Sequence, residues 1–487
     1  MAKFNRVSAR PAPVGPGTTT GRTTTYEGGG AYTRDTRSEL VLLAVVNMVG
    51  EDTFYEGTSD RDNRFRALVR AAAVEDAKWT EAFIRWLRGE ANMRSASLVA
   101  AAEAVRGRLE AGLHGGNRTL VDAACLRADE PGELLAYWTS RYGRAIPKPV
   151  KRGLADAVRR LYNERSLLKY DSSSRGYRFA DVLELVHPAP AADKPWQGDL
   201  FKHAIDRRHD RGEAVPDSLP VLRARAELAA LPVAERRAFL DRPDAPERLA
   251  EAGFTWESLA GWLQGPLDAR VWQAMLPSMG YMATLRNLRN FDEAGVSDEV
   301  AERVAARLAD PEEVAASRQF PYRFLSAYRA APSSRWAYPL DKALTAATAN
   351  VPRLPGRTLV LVDVSGSMLG VVSARSKVRH VDVGVLFGVA LAHRGADVDL
   401  IGFATDSFKY RLRKGGSVLK EVEAFCEKVG TVGYGTETVK ALQKWYRGHD
   451  RVVIVSDMQA FGHWGNHGNV SVSEAVPAHI PVFGVNT

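Results

Sequence analysis

From Ser38 to about Asn350 the apolar residues recur at helical spacing, and strand-like alternation is almost absent until Thr358. The periodicity predicts helices over Trp79–Gly89, Arg94–Ala111, Arg118–Cys125, Glu133–Arg141, Pro149–Tyr170 and Phe179–His187, and more of them up to Asn350. The first opens on the run Leu40–Val46, with Ser38 placed to cap it. Connections are short and marked by Gly, Pro or Asn, as expected for stacked helices in an α-solenoid or a ring made from one. No fixed period is visible, which argues against regular tetratricopeptide or ankyrin arrays and leaves irregular repeats of the HEAT kind. Residues 1–37 are rich in Pro, Gly and Thr without a period, so residues 1–25 are expected to be a flexible or wrapping arm and 26–352 the helical domain.

Past the short linker Pro352–Arg357 the pattern changes to strand and helix in alternation. Strands are expected at Thr358–Val362, Asp397–Ala404, Arg451–Ser456 and Pro481–Val485, with an edge strand at Phe408–Arg413. Helices are expected at Lys377–His393, Val418–Val429 and Thr436–Trp445. Residues 353–487 therefore read as a doubly wound α/β domain. The run Leu359-Val360-Leu361-Val362 leads into Asp363-Val364-Ser365-Gly366-Ser367, which puts a carboxylate and two hydroxyls at the carboxyl end of a buried parallel strand. Ligands bind at that end of open α/β sheets, and hard oxygen donors with room for water suit Mg²⁺. A second acid, Asp457, follows the strand Val452–Val455, and between the two lies the turn Gly433-Tyr434-Gly435-Thr436.

Hydrolytic chemistry would need an activated water and a nearby base. No His lies in the motif, and His463 and His467 sit in a Gly-rich loop where their spacing does not align them. With no Gly-x-x-x-x-Gly-Lys-Ser/Thr phosphate loop either, a nonenzymatic domain is expected. There is no bilayer-length apolar run and no apolar segment behind Met1–Arg6, and the two cysteines, Cys125 and Cys426, stand far apart. A reducing cytoplasm fits.

Charge adds a second candidate. The chain carries a net +8, and Arg141–Arg178 alone holds 11 basic and 3 acidic residues, a local 11 − 3 = +8. On a helical wheel with Lys148 at zero, Lys151, Arg152 and Arg159 fall at about −60°, 40° and 20°, while Val150, Leu154, Val158 and Leu161 fall at about 200–280°. Such a basic face fits phosphate binding, and Tyr162, Tyr170 and Tyr177 nearby suit stacking on unpaired bases, which favours RNA or single strands.

Two resemblances follow from these residues. The Asp363-x-Ser365-x-Ser367 loop with its downstream Thr and Asp resembles the metal-ion-dependent adhesion site of von Willebrand factor A domains. That implies a divalent cation ringed by Asp363, Ser365, Ser367, Thr436 and Asp457, with Thr438 competing for the place of Thr436 and an acidic group of a partner taking the open position. The chain as a whole, residues 26–487, resembles the Ro 60 kDa autoantigen-like proteins of the TROVE family. The resemblance rests on Glu27–Tyr32, Phe179–Pro188, Leu285–Leu288, Phe320–Phe324 and Leu340–Leu344 in that order, followed by the Asp363 motif.

The TROVE resemblance implies a ring of HEAT-like helices closed against the A domain, working as a monomeric cytoplasmic ribonucleoprotein in RNA quality control. It would bind small noncoding Y-like RNA on a basic outer surface and single-stranded 3′ ends of misfolded RNA in a central hole. A 3′-exoribonuclease such as polynucleotide phosphorylase would be tethered through the RNA. By the same match Lys169, Arg175 and His187 would join Lys148, Lys151, Arg152 and Arg159 as RNA contacts, with helix capping as the alternative role for His187. Ala189–Ala250 matches the family weakly, and the sheet lacks the family's closing helix, so another segment such as the N-terminal arm is expected to cover that face. The competing expectations are a metal-dependent protein-binding adaptor without an RNA role and, more weakly, a metal-dependent nuclease.

Overall fold

The structure, a computed structural model, describes residues 19–24, 30–46, 58–331, 333–349, 351–374, 376–395, 397–413, 415–457, 472, 475–477 and 479–487. The chain falls into two compact units. One is Asp35–Pro266, and the other joins Leu267–Thr487 with the residues up to Arg34.

The first unit is helical. Its opening helix, Thr36–Val46, is capped one turn earlier than the sequence suggests: Asp35 accepts from the Ser38 amide at 2.9 Å and from the Ser38 hydroxyl at 2.7 Å. A carboxylate outcompetes a hydroxyl for this position because it is acceptor-only and carries the charge the helix N-terminus favours. Around the Arg94–Glu110 helix, whose Leu98–Val105 stretch is buried throughout, pack Thr58–Glu75, Ala77–Gly89, Asn117–Ala124 and Glu130–Tyr142.

The helix expected over Pro149–Tyr170 is two helices, Lys148–Leu161 and Glu164–Tyr170. Asn163 breaks it: its side chain accepts from the Ser166 amide at 2.9 Å while the Ser166 hydroxyl accepts from the Asn163 amide at 2.9 Å, a reciprocal cap. On Lys148–Leu161 the apolar face is buried through Val150, Leu154, Ala157 and Val158. Gly153 lies on the same face, where a Cβ would stand 2.5 Å from the Arg118 carbonyl oxygen, so the helix Asn117–Ala124 approaches at backbone distance. The next helix, Phe179–Val186, ends at His187, which has left-handed backbone (φ 50°).

In the second unit the helices from Ala269 to Thr348 lead into the sheet. β1 (Thr19–Thr24), in the stretch expected to be an arm, pairs antiparallel with β2 (Gly30–Arg34), at the start of the stretch expected to be helical. The larger sheet comprises β3 (Thr358–Asp363), β4 (Val398–Phe403), β5 (Ser407–Tyr410), β6 (Arg451–Ser456) and β7 (Val482–Asn486), in the order β5-β4-β3-β6-β7. All neighbours are parallel except β5, the antiparallel edge.

The run Leu359–Val362 is fully buried because both faces of β3 are covered. The helix His380–Arg394 covers one face, where a Cβ on Gly388 would come within 2.8 Å of both Val362 and Leu400. Ala441 and Leu442, on the helix Thr438–Trp445, pack with Leu359, Leu361 and Ile401. Helical repeats followed by a doubly wound α/β sheet are the fold class the sequence predicts. The chain leaves β3 for β4 on one side and returns through β6 on the other, so Asp363 stands at the point where strand order reverses.

Candidate functional site

The carboxyl ends of β3, β4 and β6 meet around Asp363. Its side chain is fully buried; Oδ1 accepts from the Ser365 amide at 2.8 Å and Oδ2 from the Ser456 hydroxyl at 2.8 Å. The hydroxyls of Ser365 and Ser367 lie 3.2 Å apart. The Gly366 amide donates to the Tyr434 carbonyl at 3.0 Å, which pins the Gly433–Thr436 turn against the motif. The same turn is tied to the end of β4, where Thr405 Oγ1 accepts from the Gly435 amide at 2.9 Å and the Ala404 carbonyl accepts from Glu437 at 2.9 Å.

Burial pushes the Asp363 carboxyl above its ordinary range, against the hydrogen bonds from Ser365 and Ser456, and the charge of Asp457 pushes the same way. A buried carboxylate among hydroxyls, destabilised by a second carboxylate, is a donor set that a hard divalent cation would relieve. The residues therefore fit the group. Among the described residues no group of three or more acids, histidines or cysteines is placed to hold a metal ion, so such a centre would rest on two carboxylates, hydroxyls and water.

The two threonines differ. Thr436 is half-buried in the pinned turn, whereas Thr438 opens its helix with a buried Oγ1 that has no hydrogen-bond partner among the described residues. Sequence spacing alone could not separate them. His463 and His467 lie outside the described residues.

The basic segment is less uniform than its linear count. Acids balance part of it: Arg160 pairs with Asp122, Arg175 with Glu133 at 2.9 Å and Asp129 at 3.2 Å, and Arg178 with Asp171 at 2.9 Å, while the segment's own Asp156 is shared with Arg118 of the helix Asn117–Ala124. Arg159 donates to the Ala189 carbonyl at 2.7 Å and stands 3.8 Å from Asp156. What remains without a carboxylate within 4 Å, among the described residues, is Lys148, Lys151, Arg152, Lys169 and Arg165, which donates to the Ala250 carbonyl at 2.9 Å, joined by Arg144 just before the helix. Lys148, Arg152, Lys169 and Arg144 are exposed and Lys151 is half-buried. The helical wheel missed Arg144 only because it precedes the helix; the charge count contained it.

His187 donates its amide to Leu183 at 2.8 Å and so closes its helix, while its side chain stays exposed. The closing of the helix is a backbone contact and leaves the ring unused. The tyrosines divide: Tyr162 is 1% exposed and stacks on Phe179 at 3.8 Å, which removes it from any base-stacking role. Tyr177 donates to the Thr139 hydroxyl at 2.9 Å, and Tyr170 carries Lys169 at 5.3 Å over one ring face and Arg127 at 5.3 Å.

A helical chain with a basic helix face, followed by a doubly wound domain with an acid–hydroxyl loop at its switch point, defines the class. The family model described as TROVE domain matches residues 251–348, a span that contains three of the stretches behind the sequence resemblance, Leu285–Leu288, Phe320–Phe324 and Leu340–Leu344. The fold is similar to that in the crystal structure of the Deinococcus radiodurans RO (RSR) protein, with a TM-score of 0.66, 19% sequence identity and 92% of each chain covered. No curated protein matches the chain. The resemblance to Ro-like, TROVE-domain proteins is thus met by the family model over 251–348 and by the fold over most of the length.

Proposed function

We propose that the chain is an RNA-binding scaffold of the Ro-like kind with no catalysis of its own. The observation that carries this reading is the cationic face of Lys148, Lys151 and Arg152, which has no carboxylate within 4 Å among the described residues, whereas Arg159, Arg160 and Arg175 have carboxylate partners. Solvated structural faces mix signs; a face left positive suits a polyanion. Structured small RNA of the Y-like class is the ligand proposed for this face, with Lys169 and the exposed His187 beside it. Arg159 and Arg175 are proposed at its margin, since each must loosen an existing contact to reach a phosphate.

Single-stranded 3′ ends of misfolded RNA are the second ligand proposed, with a 3′-exoribonuclease joined through the RNA, in a cytoplasmic ribonucleoprotein holding one copy of the chain. Among the described residues no helix is long and apolar enough to cross a membrane. Filter binding of a structured small RNA by the wild type and by Lys151→Ala/Arg152→Ala across a salt series tests the reading; equal affinity and equal salt slope would sink it.

The buried Asp363 carboxyl favours a second reading for the α/β part. Mg²⁺, or another divalent cation, held by Asp363, Ser365, Ser367, Asp457 and one of Thr436 and Thr438, would supply a Lewis-acidic docking point for a partner's carboxylate. Here the chain's own contribution is to exclude water at Asp363 and to hold the motif against Tyr434 and Ser456. A protein partner retained after ribonuclease treatment and lost with Asp363→Ala would mark an adaptor; retention by Asp363→Ala would end that reading.

A further inference from the structure

The helix Pro321–Ala330 turns its apolar face inward: Phe324 and Leu325 are buried, and Phe324 meets the Tyr281 ring edge-on at 6.2 Å. Its start is built differently. Phe320, at the cap position, is 55% exposed, although phenyl rings are among the side chains most often taken out of water. The Tyr322 ring lies close to parallel with it, at 6.2 Å between centroids and 16° between planes. The Arg323 guanidinium carbon stands 4.8 Å from the centre of the Tyr322 ring. Phe320 and Arg323 are exposed and Tyr322 is half-buried, so three flat π groups adjoin at the start of one helix, outside the core.

The charges point the same way. Among the described residues the Arg323 guanidinium has no carboxylate within 4 Å and no hydrogen bond, and the Tyr322 hydroxyl has no hydrogen-bond partner. Other arginines of the unit are satisfied: Arg307 with Glu313 at 3.3 Å, Arg329 with Asp382 at 3.1 Å and Arg335 with Asp292 at 2.6 Å. The first turn of the helix holds no acid. A purely apolar partner would cover this guanidinium and hydroxyl without bonding either. A duplex keeps its base faces inside the stack. A single strand meets both needs, with a base face for the rings and a phosphate for the guanidinium.

We propose that Phe320, Tyr322 and Arg323 form a stacking platform for an unpaired base of single-stranded RNA, a contact additional to the Lys148–Arg152 face. The choice of RNA as the strand rests on the function proposed above. The platform itself rests on the ring geometry. Phe320 offers the exposed face, Tyr322 backs it and brings a hydroxyl for a base edge or a ribose 2′-OH, and Arg323 takes the adjoining phosphate.

Measurements on the full chain test this. In fluorescence anisotropy with a labelled single-stranded RNA, Phe320→Ala should weaken binding about tenfold at every salt concentration, because a stacked base is lost and no charge with it. Phe320→Trp should keep the affinity. Arg323→Ala should instead flatten the salt slope by about 0.7, the loss of one single-strand phosphate contact. With 2-aminopurine in the strand, binding to the wild type should quench its emission, and binding to Phe320→Ala should quench it less. Phe320 and Arg323 are exposed, so neither change reaches the core, and thermal melts check that the fold is kept. If the wild type binds RNA and Phe320→Ala keeps its affinity and quenching, the platform is overturned and the rings are left to a protein partner. If the wild type binds no RNA, the functional reading fails, and adenosine monophosphate decides the platform alone. In saturation-transfer NMR, base-proton signals lost in Phe320→Ala keep it as a nucleobase site, and signals absent or unchanged remove it.

Discussion

Replacing Lys151 and Arg152 together with Ala separates an RNA-binding face from an ordinary solvated one. Neither side chain has a carboxylate within 4 Å among the described residues, and the helix is held from its other side by Val150, Leu154, Ala157 and Val158. The fold should therefore be nearly indifferent, with each change within about 0.5 kcal/mol, the usual range for surface substitutions away from special features. RNA affinity should not be indifferent. Each phosphate contact to duplex-like RNA releases about 0.9 counterion, which at 0.15 M salt corresponds to about 1 kcal/mol, so losing two contacts costs about 2 kcal/mol or thirtyfold in affinity.

The slope of log affinity against log salt should fall by about 1.8 in the same variant. Arg159→Ala makes the contrast: it loses a hydrogen bond to Ala189, worth about 0.5–1.5 kcal/mol of stability, and should shift the melting curve while changing the slope less. Filter binding over a salt series with parallel thermal melts reads both. An unchanged slope in the double variant, or a slope change in Arg159→Ala alone, would refute the assignment of this face.

Three further outcomes are expected. Leu154→Ala on the buried face of the same helix should cost about 2–5 kcal/mol in denaturant melts, since Leu154 is wholly buried beside a backbone contact too close to relax. Asp363, raised by burial, destabilises the metal-free fold as pH rises from the ordinary carboxylate value through its folded one; Asp363→Asn should flatten that dependence and abolish any rise in melting temperature on adding Mg²⁺, and an equal Mg²⁺ response in the variant would exclude Asp363 as a ligand. For Asp399, burial works against ionisation, but hydrogen bonds from Lys409 and His449 win and hold it at about 2. Its contribution is present above about pH 4 and lost as pH falls towards 2, so Asp399→Asn should be less stable than wild type at neutral pH, with the gap closing in acid; a constant gap would contradict the pairing.

The sheet was the most legible part of the chain. Arg451–Ser456 stands where the sequence places it, and β3, β4 and β7 differ from expectation by one or two residues; β3 and β6, buried along their whole length, read as unbroken apolar runs. The paired strands β1 and β2 were not legible that way, since β1 is only Thr, Gly and Arg and β2 adds just Ala31 and Tyr32, side by side, with no apolar alternation; the β-branched threonines were the available signal. The break at Asn163 hid inside a continuous helical period because a local cap decides it, and periodicity does not register caps.

At the sites the sequence brought out the right loop, and the structure brings Asp363, Ser365 and Ser367 together with the turn before Thr436. It could not foresee which charges would remain unpaired. Asp122, Asp129 and Glu133 neutralise arginines from 38 to 46 positions away in sequence, and a linear count does not see them. Tyr162 reads as amphipathic in sequence and is core in the fold, because Phe179 from the next helix stacks on it.

The most direct test of an RNA-binding scaffold is purification of the full chain from its own host without nuclease, followed by an ultraviolet spectrum before and after ribonuclease. Co-purifying RNA predicts a spectrum dominated by nucleobase absorbance that reverts to that of Trp and Tyr on digestion, with loss of the signal in Lys151→Ala/Arg152→Ala. A wild-type spectrum of protein alone, together with no retention of structured RNA on filters at low salt, would contradict the account.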